Sequence, residues 1–174
     1  MIRNPQKTSE QNRVRPECWY PQPPPEADLN ANIRTAEQHY TRAVDDTVFR
    51  SSGSAMLTHG YWFRDQVTKF GPWDYNHSNL RTKQDIDNST YDAYGNFQFG
   101  ATGAAAGFPL DVLLRAAGRA QETSGDVKGD GGQSGGWLGV FTGIGAKPPY
   151  GDKEIDQFII RRGFQYYKSG CHNQ

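Results

Sequence analysis

Residues 91–108 read YDAYGNFQFGATGAAAGF and carry most of the information about the fold. Gly95, Gly100, Gly103 and Gly107 recur among small side chains in this stretch. Each glycine costs roughly 1 kcal/mol relative to alanine inside a helix, so a helix here needs a compensating interaction. Close packing of another backbone beside a functional site is the compensation that this pattern indicates.

The composition is that of one domain without a charge bias. The chain has 174 residues, of which 35% are hydrophobic and 13% aromatic, with 19 basic and 19 acidic residues. This balance argues against a partner held mainly by phosphate neutralisation, although a local basic cluster remains compatible with one. The sequence has no apolar run of about 18 residues, so no stable membrane insertion is expected. It also has no apolar signal-peptide core at its start.

The first 27 residues are polar and rich in proline, which predicts a tether. We expect this tether to join a single domain, residues 28–174, to a larger portion upstream. Cys18 and Cys171 lie near opposite ends of the chain. Free thiols are the favoured state, and a disulfide between the termini is the alternative for a protein that works outside the cytoplasm. Their spacing matches no zinc site, and no cofactor is expected.

Helical spacing of apolar residues predicts a mostly α fold with about five helices. We expect the first over about residues 29–46, with Asp28 as its N-cap, and the second to stop at Gly71. The third contains Phe97, and the fourth begins at Pro109, which suits a first helical turn. A lysozyme-like α+β fold, in which an acid also lies at a helix start, is the alternative by analogy.

The C-terminal part combines a glycine-rich segment with a final helix. Residues 124–151 contain ten glycines with Trp and Phe interspersed, which predicts a short hairpin or an ordered loop. The final helix is expected to begin behind Asp152 as its cap. Its predicted apolar side comprises Ile155, Phe158, Ile159 and Tyr166.

Carboxylates are the strongest catalytic candidates, because the sequence has no zinc-protease, α/β-hydrolase or P-loop motif. Asp74 lies between Trp73 and Tyr75, where partial desolvation would raise its pKa toward that of a proton donor. Alternatively, Asp74 closes a turn by accepting backbone hydrogen bonds. Asp92 and Asn96 are four residues apart and project from one side of a helix. The alternative role of Asp92 is a charge that favours a helix N-terminus.

Other titratable side chains give weaker signals. His77, in a polar loop, is the best of the four histidines for acid–base catalysis. His39 and His59 lie on successive predicted helices and meet only if those helices pack together. Asp152 and Asp156 repeat the four-residue spacing, with Asp152 favoured as a cap.

Segments related to a known toxin family occur in order from about residue 30 to residue 168. They are Trp62-Phe63, Gly71-Pro-Trp-Asp-Tyr75, Gly95-Asn-Phe-Gln-Phe-Gly-Ala-Thr-Gly103, Leu113-Leu-Arg-Ala-Ala-Gly118, Tyr150-Gly-Asp152, Asp156-Gln157, and Gly163 with Tyr166-Tyr167. With them the chain resembles the bacterial polymorphic toxin type 44 domain, the variable C-terminal tip of large secreted or contact-delivered proteins. The resemblance implies an antibacterial effector with an upstream delivery domain and a cognate immunity protein.

The chain departs from the family pattern at two positions. Ala93 stands where an acid is expected, and Asn76 stands where a lysine is expected. Ala93 is either a natural substitution or an inactivating one, and in the second case the missing acid would be the catalytic one.

Three functions from different classes remain open. The favoured one is a hydrolase of cell-wall peptidoglycan glycan in the periplasm of a rival bacterium, with carboxylates as acid and base. In that hypothesis Asp92, or an acid at position 93, is the general acid and Asp74 assists. The expected substrate-binding residues are Trp73, Tyr75, Tyr91, Tyr94, Asn96 and Tyr150.

The alternative is a ribonuclease acting in the cytoplasm of the target cell, for which His77, Arg81 and Lys83 form the nearest basic cluster. The third class is a binding or pore-forming module. Pore formation is disfavoured, because the sequence has no long apolar or strongly amphipathic hairpin.

Overall fold

The computed structural model describes residues 18–49, 52–75, 88–124 and 129–174. Six α-helices dominate these ranges, so the predicted mostly α fold is confirmed with one helix more than expected. They are α1 (Leu29–Phe49), α2 (Ser52–Val67), α3 (Asn88–Ala105), α4 (Leu110–Ser124), α5 (Gly136–Thr142) and α6 (Glu154–Lys168). A 3-10 turn, Cys171–Asn173, follows α6. None of these helices is both long and apolar enough to cross a membrane.

The additional helix, α5, lies inside the glycine-rich segment. It is only 7 residues long, and Gly135 and Gly143 flank it in the left-handed conformation that glycine adopts most readily. An isolated antiparallel bridge between Gln133 and Lys147 closes the segment around the helix. The segment is therefore an ordered loop built around one short helix.

The tightest packing in the described chain is between α3 and α6. A Cβ atom at Gly100 would collide with the carbonyl oxygen of Ile160, and one at Gly163 would collide with the carbonyl oxygen of Phe97. The two backbones thus approach each other through a glycine from each helix. This contact is the close packing that the glycines of residues 91–108 indicated.

The hydrophobic core surrounds this contact and is completed by α1, α2 and α4. Phe97 and Ile160 are fully buried at its centre. Ile33, Phe63, Trp73, Leu113, Leu114 and Tyr166 are among the other buried members. The core therefore draws on residues far apart in the sequence and holds the start of α6 against α3 and α4.

The N-cap of α1 is as predicted, whereas that of α6 is not. Asp28 Oδ1 accepts a hydrogen bond from the Ala31 N–H at 2.8 Å, as an N-cap does. In α6 the residue at the cap position is Lys153, which makes no capping bond with its side chain. Asp130 Oδ2 instead accepts the Glu154 N–H at 2.9 Å, so the prediction of Asp152 as the cap was wrong.

The predicted apolar side of α6 was correct for two of its four residues, because Tyr166 is buried and Ile159 packs against the core. Ile155 and Phe158 are each 58% exposed. The buried residues of α6 are Gln157, Ile160, Gly163 and Tyr166. The small Gly163 faces α3 because only glycine permits this approach, and its position decides which side of α6 is buried.

Residues 18–27 lie against the helical body. Cys18 forms a disulfide with Cys171, so the favoured free thiols are replaced by the alternative. The ring of Tyr20 lies 6.1 Å from that of Phe97 and 5.6 Å from that of Tyr166. The rest of the predicted tether, residues 1–17, is outside the described residues, and the division at residue 27 stays a prediction.

A pair of glycine substitutions tests the helix contact. We expect Gly163→Ala to lower the free energy of unfolding by about 1–3 kcal/mol or more, because α6 must move away from α3. Gly60→Ala in α2 is the matched control, since a Cβ there meets nothing within 4 Å. It should stabilise the protein by about 0.5–1 kcal/mol through helix propensity. Urea denaturation measures both, and equal stabilities of the two variants would contradict the contact.

Candidate active site

Four aspartates come together where α3 and α6 begin, and we call Asp92, Asp130, Asp152 and Asp156 the acidic cluster. Asp92 is in the second turn of α3, and Asp156 is in the first turn of α6. The charges of the other three members all act on Asp156. The Asp130 N–H donates to the Asp152 carbonyl oxygen at 2.9 Å, which ties the glycine-rich segment to the start of α6.

Asp156 has the most perturbed carboxyl group of the cluster. Its pKa is raised from 3.8 to about 6, mainly by burial and then by the charge of Asp152. Lys153 opposes this rise, and the charges of Asp92 and Asp130 add to it. A carboxyl group with a pKa near 6 holds a proton over a useful part of the physiological range. Asp156 is therefore suited to donate a proton to a substrate.

Asp152 is buried, and both of its carboxylate oxygens accept a hydrogen bond. Its Oδ1 accepts the Lys153 N–H at 2.9 Å, and its Oδ2 accepts from Gln157 Nε2 at 2.6 Å. Burial raises the pKa of Asp152, and these hydrogen bonds oppose that rise. Gln157 Nε2 also donates to the Leu114 carbonyl oxygen at 3.0 Å. Asp152 thus supports the start of α6 and supplies negative charge beside Asp156.

Tyr150 reaches this region because the glycine-rich segment packs closely on α4. A Cβ atom at Gly118 would collide with the Tyr150 carbonyl oxygen, so only glycine allows this approach. Tyr150 has φ 68°, an uncommon conformation for an aromatic residue. Together with Gln157 it lines a pocket of about 310 Å³ between residues 148–150 and α6. Tyr150 is thus a predicted substrate-binding residue that lines a pocket.

Asp74 has the turn-closing geometry that the sequence offered as its alternative role. Its Oδ2 accepts the Phe70 N–H at 2.7 Å. Phe70 has φ 67°, so the bond holds a residue in a conformation it would otherwise avoid. Asp74 lies on the loop after α2 and is not among the charges that act on Asp156.

Trp73 and Tyr75, which flank Asp74, are both buried. The Trp73 carbonyl oxygen accepts from Gln98 Nε2 at 3.3 Å, and the Tyr75 hydroxyl accepts from Asn32 Nδ2 at 3.0 Å. Both residues therefore fasten the loop to α1 and α3 and present no aromatic face to a substrate in this structure.

The three remaining candidates on α3 differ in exposure. Tyr94 is fully buried, and its hydroxyl has no hydrogen-bond partner among the described residues. Burial raises the pKa of Tyr94, with further increases from the nearby tyrosines and Asp28. Tyr91 and Asn96 are partly exposed. Tyr94 thus belongs to the core, whereas Tyr91 and Asn96 remain near Asp92 on the helix.

His77 is outside the described residues, whereas the fold brings His39 and His59 together. His39 Nδ1 lies 2.9 Å from His59 Nδ1, and His59 Nε2 lies 2.8 Å from the Ala106 carbonyl oxygen. The His39 ring stacks on Trp62 at 3.8 Å. Burial lowers the pKa of each histidine, so both are neutral at pH 7.

A protein-family model described as bacterial toxin 44 matches residues 62–169. The chain belongs to the bacterial toxin 44 family. The matched range includes α3, α6 and Asp92, Asp130, Asp152 and Asp156, and it confirms the resemblance stated from the sequence. Searches of curated proteins and of solved structures found no match.

Sequence reasoning on this toxin found Asp92 but did not place Asp156 or Asp130 in a site. The spacing of Asp152 and Asp156 was the available signal, and it gave no information about burial or about Asp92. Within the described ranges, no three His, Cys, Asp or Glu side chains are placed to hold a metal ion. The carboxyl groups of the cluster interact through their charges, which act on Asp156.

The raised pKa of Asp156 predicts how Asp156→Asn changes stability with pH. The carboxyl group binds its proton more tightly in the folded toxin, so its contribution to stability is lost as pH rises from 3.8 to about 6. At pH 7.5 we expect the neutral asparagine to raise the free energy of unfolding by about 1–2 kcal/mol, after allowance for solvent screening.

This gain should fade toward pH 4, where Asp156 is protonated in the native toxin. The exposed Asp65, which pairs with Arg64 at 2.7 Å on α2, provides the control Asp65→Asn. It should change stability by less than about 0.5 kcal/mol at either pH. Thermal denaturation at the two pH values measures this, and a less stable Asp156→Asn at pH 7.5 would count against the raised pKa.

Proposed function

We propose that this toxin is a hydrolase of bacterial cell-wall glycan, with Asp156 as the general acid and Asp92 as the second carboxylate. The observation that carries the proposal is the pKa of Asp156, which burial and the neighbouring carboxylates raise to about 6. Glycoside hydrolysis uses two carboxyl groups whose environments separate their pKa values. This assignment moves the general acid from Asp92 to Asp156 and gives Asp92 the assisting role that was expected of Asp74, which closes a turn.

In this proposal Asp156 and Asp92 have different roles in the reaction. Protonated Asp156 gives its proton to the bridging oxygen as the bond between that oxygen and the anomeric carbon breaks. The side chain of Asp92, on the facing helix, stabilises the positive charge that develops on the sugar ring. Water then adds to the anomeric carbon, and its proton returns to Asp156.

The disulfide supports the periplasm as the place of action. Both cysteines of the chain, Cys18 and Cys171, are joined to each other. Disulfides persist in oxidising compartments such as the bacterial periplasm and are rare in the cytoplasm. A toxin that completes its fold outside the cytoplasm fits a cell-wall substrate better than cytoplasmic RNA.

Two partners form part of the proposal. Membership of a bacterial toxin family supports an upstream domain that delivers the toxin and a cognate immunity protein that protects the producing cell. The acidic cluster is the surface that such an immunity protein would cover to block catalysis, and a cation-rich inhibitor surface would complement it.

Substitution of the two carboxylates tests the catalytic assignment. We expect Asp156→Asn and Asp92→Asn each to lower the release of soluble muropeptides from purified sacculi by about 100-fold or more. The control Asp65→Asn should keep full activity. Activity of the unsubstituted toxin should fall as pH rises above about 6, because Asp156 loses its proton.

The variant Asp130→Asn gives a second test of Asp156 as the general acid. It removes a charge that raises the pKa of Asp156, while asparagine can still accept the Glu154 N–H. The alkaline side of the pH–activity profile should therefore move to lower pH. An unchanged profile, or full activity of Asp156→Asn, would remove Asp156 from the mechanism. If position 93 must supply the acid, Ala93→Glu will instead activate both the parent toxin and Asp156→Asn.

Directing the toxin to one compartment at a time separates the glycan hydrolase from the ribonuclease. We expect killing from the periplasm, with release of cell-wall fragments, and little effect from the cytoplasm. Cys18→Ser with Cys171→Ser should weaken periplasmic killing, since loss of a native disulfide costs about 2–5 kcal/mol in a small secreted domain. Killing from the cytoplasm alone, with loss of RNA, would falsify the glycan hydrolase and favour the ribonuclease alternative.

A further inference from the structure

Residues 18–27, which we call the N-terminal strap, are attached to the helical body by a different kind of bond at each end. At one end the strap continues into α1, which Asp28 caps. At the other end it is attached through the disulfide between Cys18 and Cys171. The first attachment is part of the chain, whereas the second exists only when both thiols are oxidised. The strap therefore has one permanent and one redox-dependent attachment.

The backbone of the strap offers few hydrogen-bond donors to the helices. Four of its ten residues are prolines, which have no N–H group. The Ala27 N–H donates to the Pro24 carbonyl oxygen, which lies within the strap itself. Contacts with the helical body therefore come mainly from side chains, such as the Tyr20 ring and the buried Pro21.

The C-terminal turn that carries Cys171 has contacts that do not depend on the disulfide. The Tyr167 hydroxyl donates to Glu37 Oε1 of α1 at 2.9 Å. The ring of His172 stacks on that of Tyr167 at 4.7 Å. These contacts hold residues on both sides of Cys171. Opening of the disulfide therefore frees Cys18 and the strap, while Cys171 stays with the helical body.

The strap packs across the two helices that carry Asp92 and Asp156. The Tyr20 ring lies 6.1 Å from that of Phe97 in α3 and 5.6 Å from that of Tyr166 in α6. The rings of Phe97 and Tyr166 are 5.4 Å apart, so all three form one aromatic contact between the helices. Release of the strap removes a side chain that holds α3 against α6.

We propose that the disulfide is a redox latch that activates the toxin after export. In the reducing cytoplasm of the producing cell both thiols stay unpaired, and the strap is released. In an oxidising periplasm Cys18 and Cys171 together lose two electrons and two protons as the S–S bond forms. These pass to the disulfide of a thiol oxidase, which becomes a dithiol. The proposal rests on the proposed function, because it takes the periplasm as the place of action.

Burial of the two sulfur-bearing residues makes this latch one-way. Cys18 is 6% exposed and Cys171 is 4% exposed. Reduction requires a thiolate to reach one of the two sulfurs, so the folded toxin shields its disulfide from reductants. In the reduced chain the released strap leaves Cys18 accessible to the oxidase. A toxin that has closed its latch therefore stays closed.

Hydrogen exchange followed by mass spectrometry tests the latch without requiring hydrolysis. The oxidised parent is compared with the full chain carrying Cys18→Ala and Cys171→Ala, which cannot close. We expect the amides of residues 18–27 to exchange at least about tenfold faster in the open variant, while the centres of α3 and α6 stay protected. Equal exchange in both proteins would overturn the latch. Loss of protection throughout all helices would also overturn it, because the disulfide would then support the whole fold.

Two neighbouring aromatic residues test the control of activity with the disulfide intact. Tyr20→Ala removes the ring between α3 and α6, whereas the control Trp19→Ala removes a ring that is 59% exposed. We expect Tyr20→Ala and the double cysteine variant each to release muropeptides about tenfold more slowly, and Trp19→Ala to match the parent. Full activity of Tyr20→Ala or of the double cysteine variant would overturn the control. Thermal denaturation checks that each variant is folded at the assay temperature.

Reduction by dithiothreitol tests whether the latch is one-way. Alkylation of the freed thiols should show reduction of the parent at least about 100-fold more slowly in buffer than in concentrated urea. Equal rates in the two solutions would contradict a shielded disulfide.

The outcome is separable from that of the proposed function. Faster exchange of the strap in the open variant, with no glycan cleavage by the parent, would leave the latch standing and overturn only the hydrolase. Glycan cleavage with an unchanged strap would overturn only the latch.

Discussion

The close contact between α3 and α6 is the constraint on which the rest of the structure depends. Gly100 and Gly163 allow each backbone to approach the other, because any side chain there would collide with a carbonyl group. This contact brings the beginnings of both helices together, so that the charge of Asp92 acts on Asp156. The packing of the two helices and the electrostatics of the acidic cluster thus have one cause. The glycines lower helix propensity locally, and the fold recovers that loss by burying the two helices against each other.

The glycine-rich segment is fixed to the helices by contacts of the same kind. Its attachment to α4 depends on Gly118, against which the Tyr150 carbonyl oxygen packs. Glu122 accepts hydrogen bonds from both the N–H and the hydroxyl of Ser134, at 2.7 and 2.6 Å. These bonds fix a segment that has little regular structure of its own. A loop held this firmly can present Tyr150 in a left-handed conformation that a mobile loop would relax.

The sequence alone predicted those structural features that depend on residues close together in the chain. Asp28 was identified as a cap because its bond spans one helical turn, and the glycines indicated close packing because their cost is intrinsic. It did not predict features that depend on contacts between residues far apart in the chain. Phe158 looked like a core residue by spacing, yet Gly163 turns the other side of α6 toward α3. Asp156 was passed over for the same reason, since its raised pKa comes mainly from burial and in part from Asp92, which is 64 residues away in the sequence.

Two sets of titratable side chains change the stability of this fold in opposite directions as the pH changes. His59 Nε2 faces the Ala106 carbonyl oxygen and must carry a hydrogen there, which leaves Nδ1 of neutral His59 to accept from His39. Because burial lowers both pKa values, the unfolded chain takes up protons first, and this pair loses stability as pH falls below about 6.5. Asp156 acts in the opposite direction, since the folded toxin holds its proton up to a pH of about 6. The histidine pair therefore favours the fold above the pH range in which Asp156 is protonated, and Asp156 favours it within that range. Between pH 5 and 6 the two effects partly cancel, which lets the toxin keep a protonated acid without depending on acidic surroundings to remain folded.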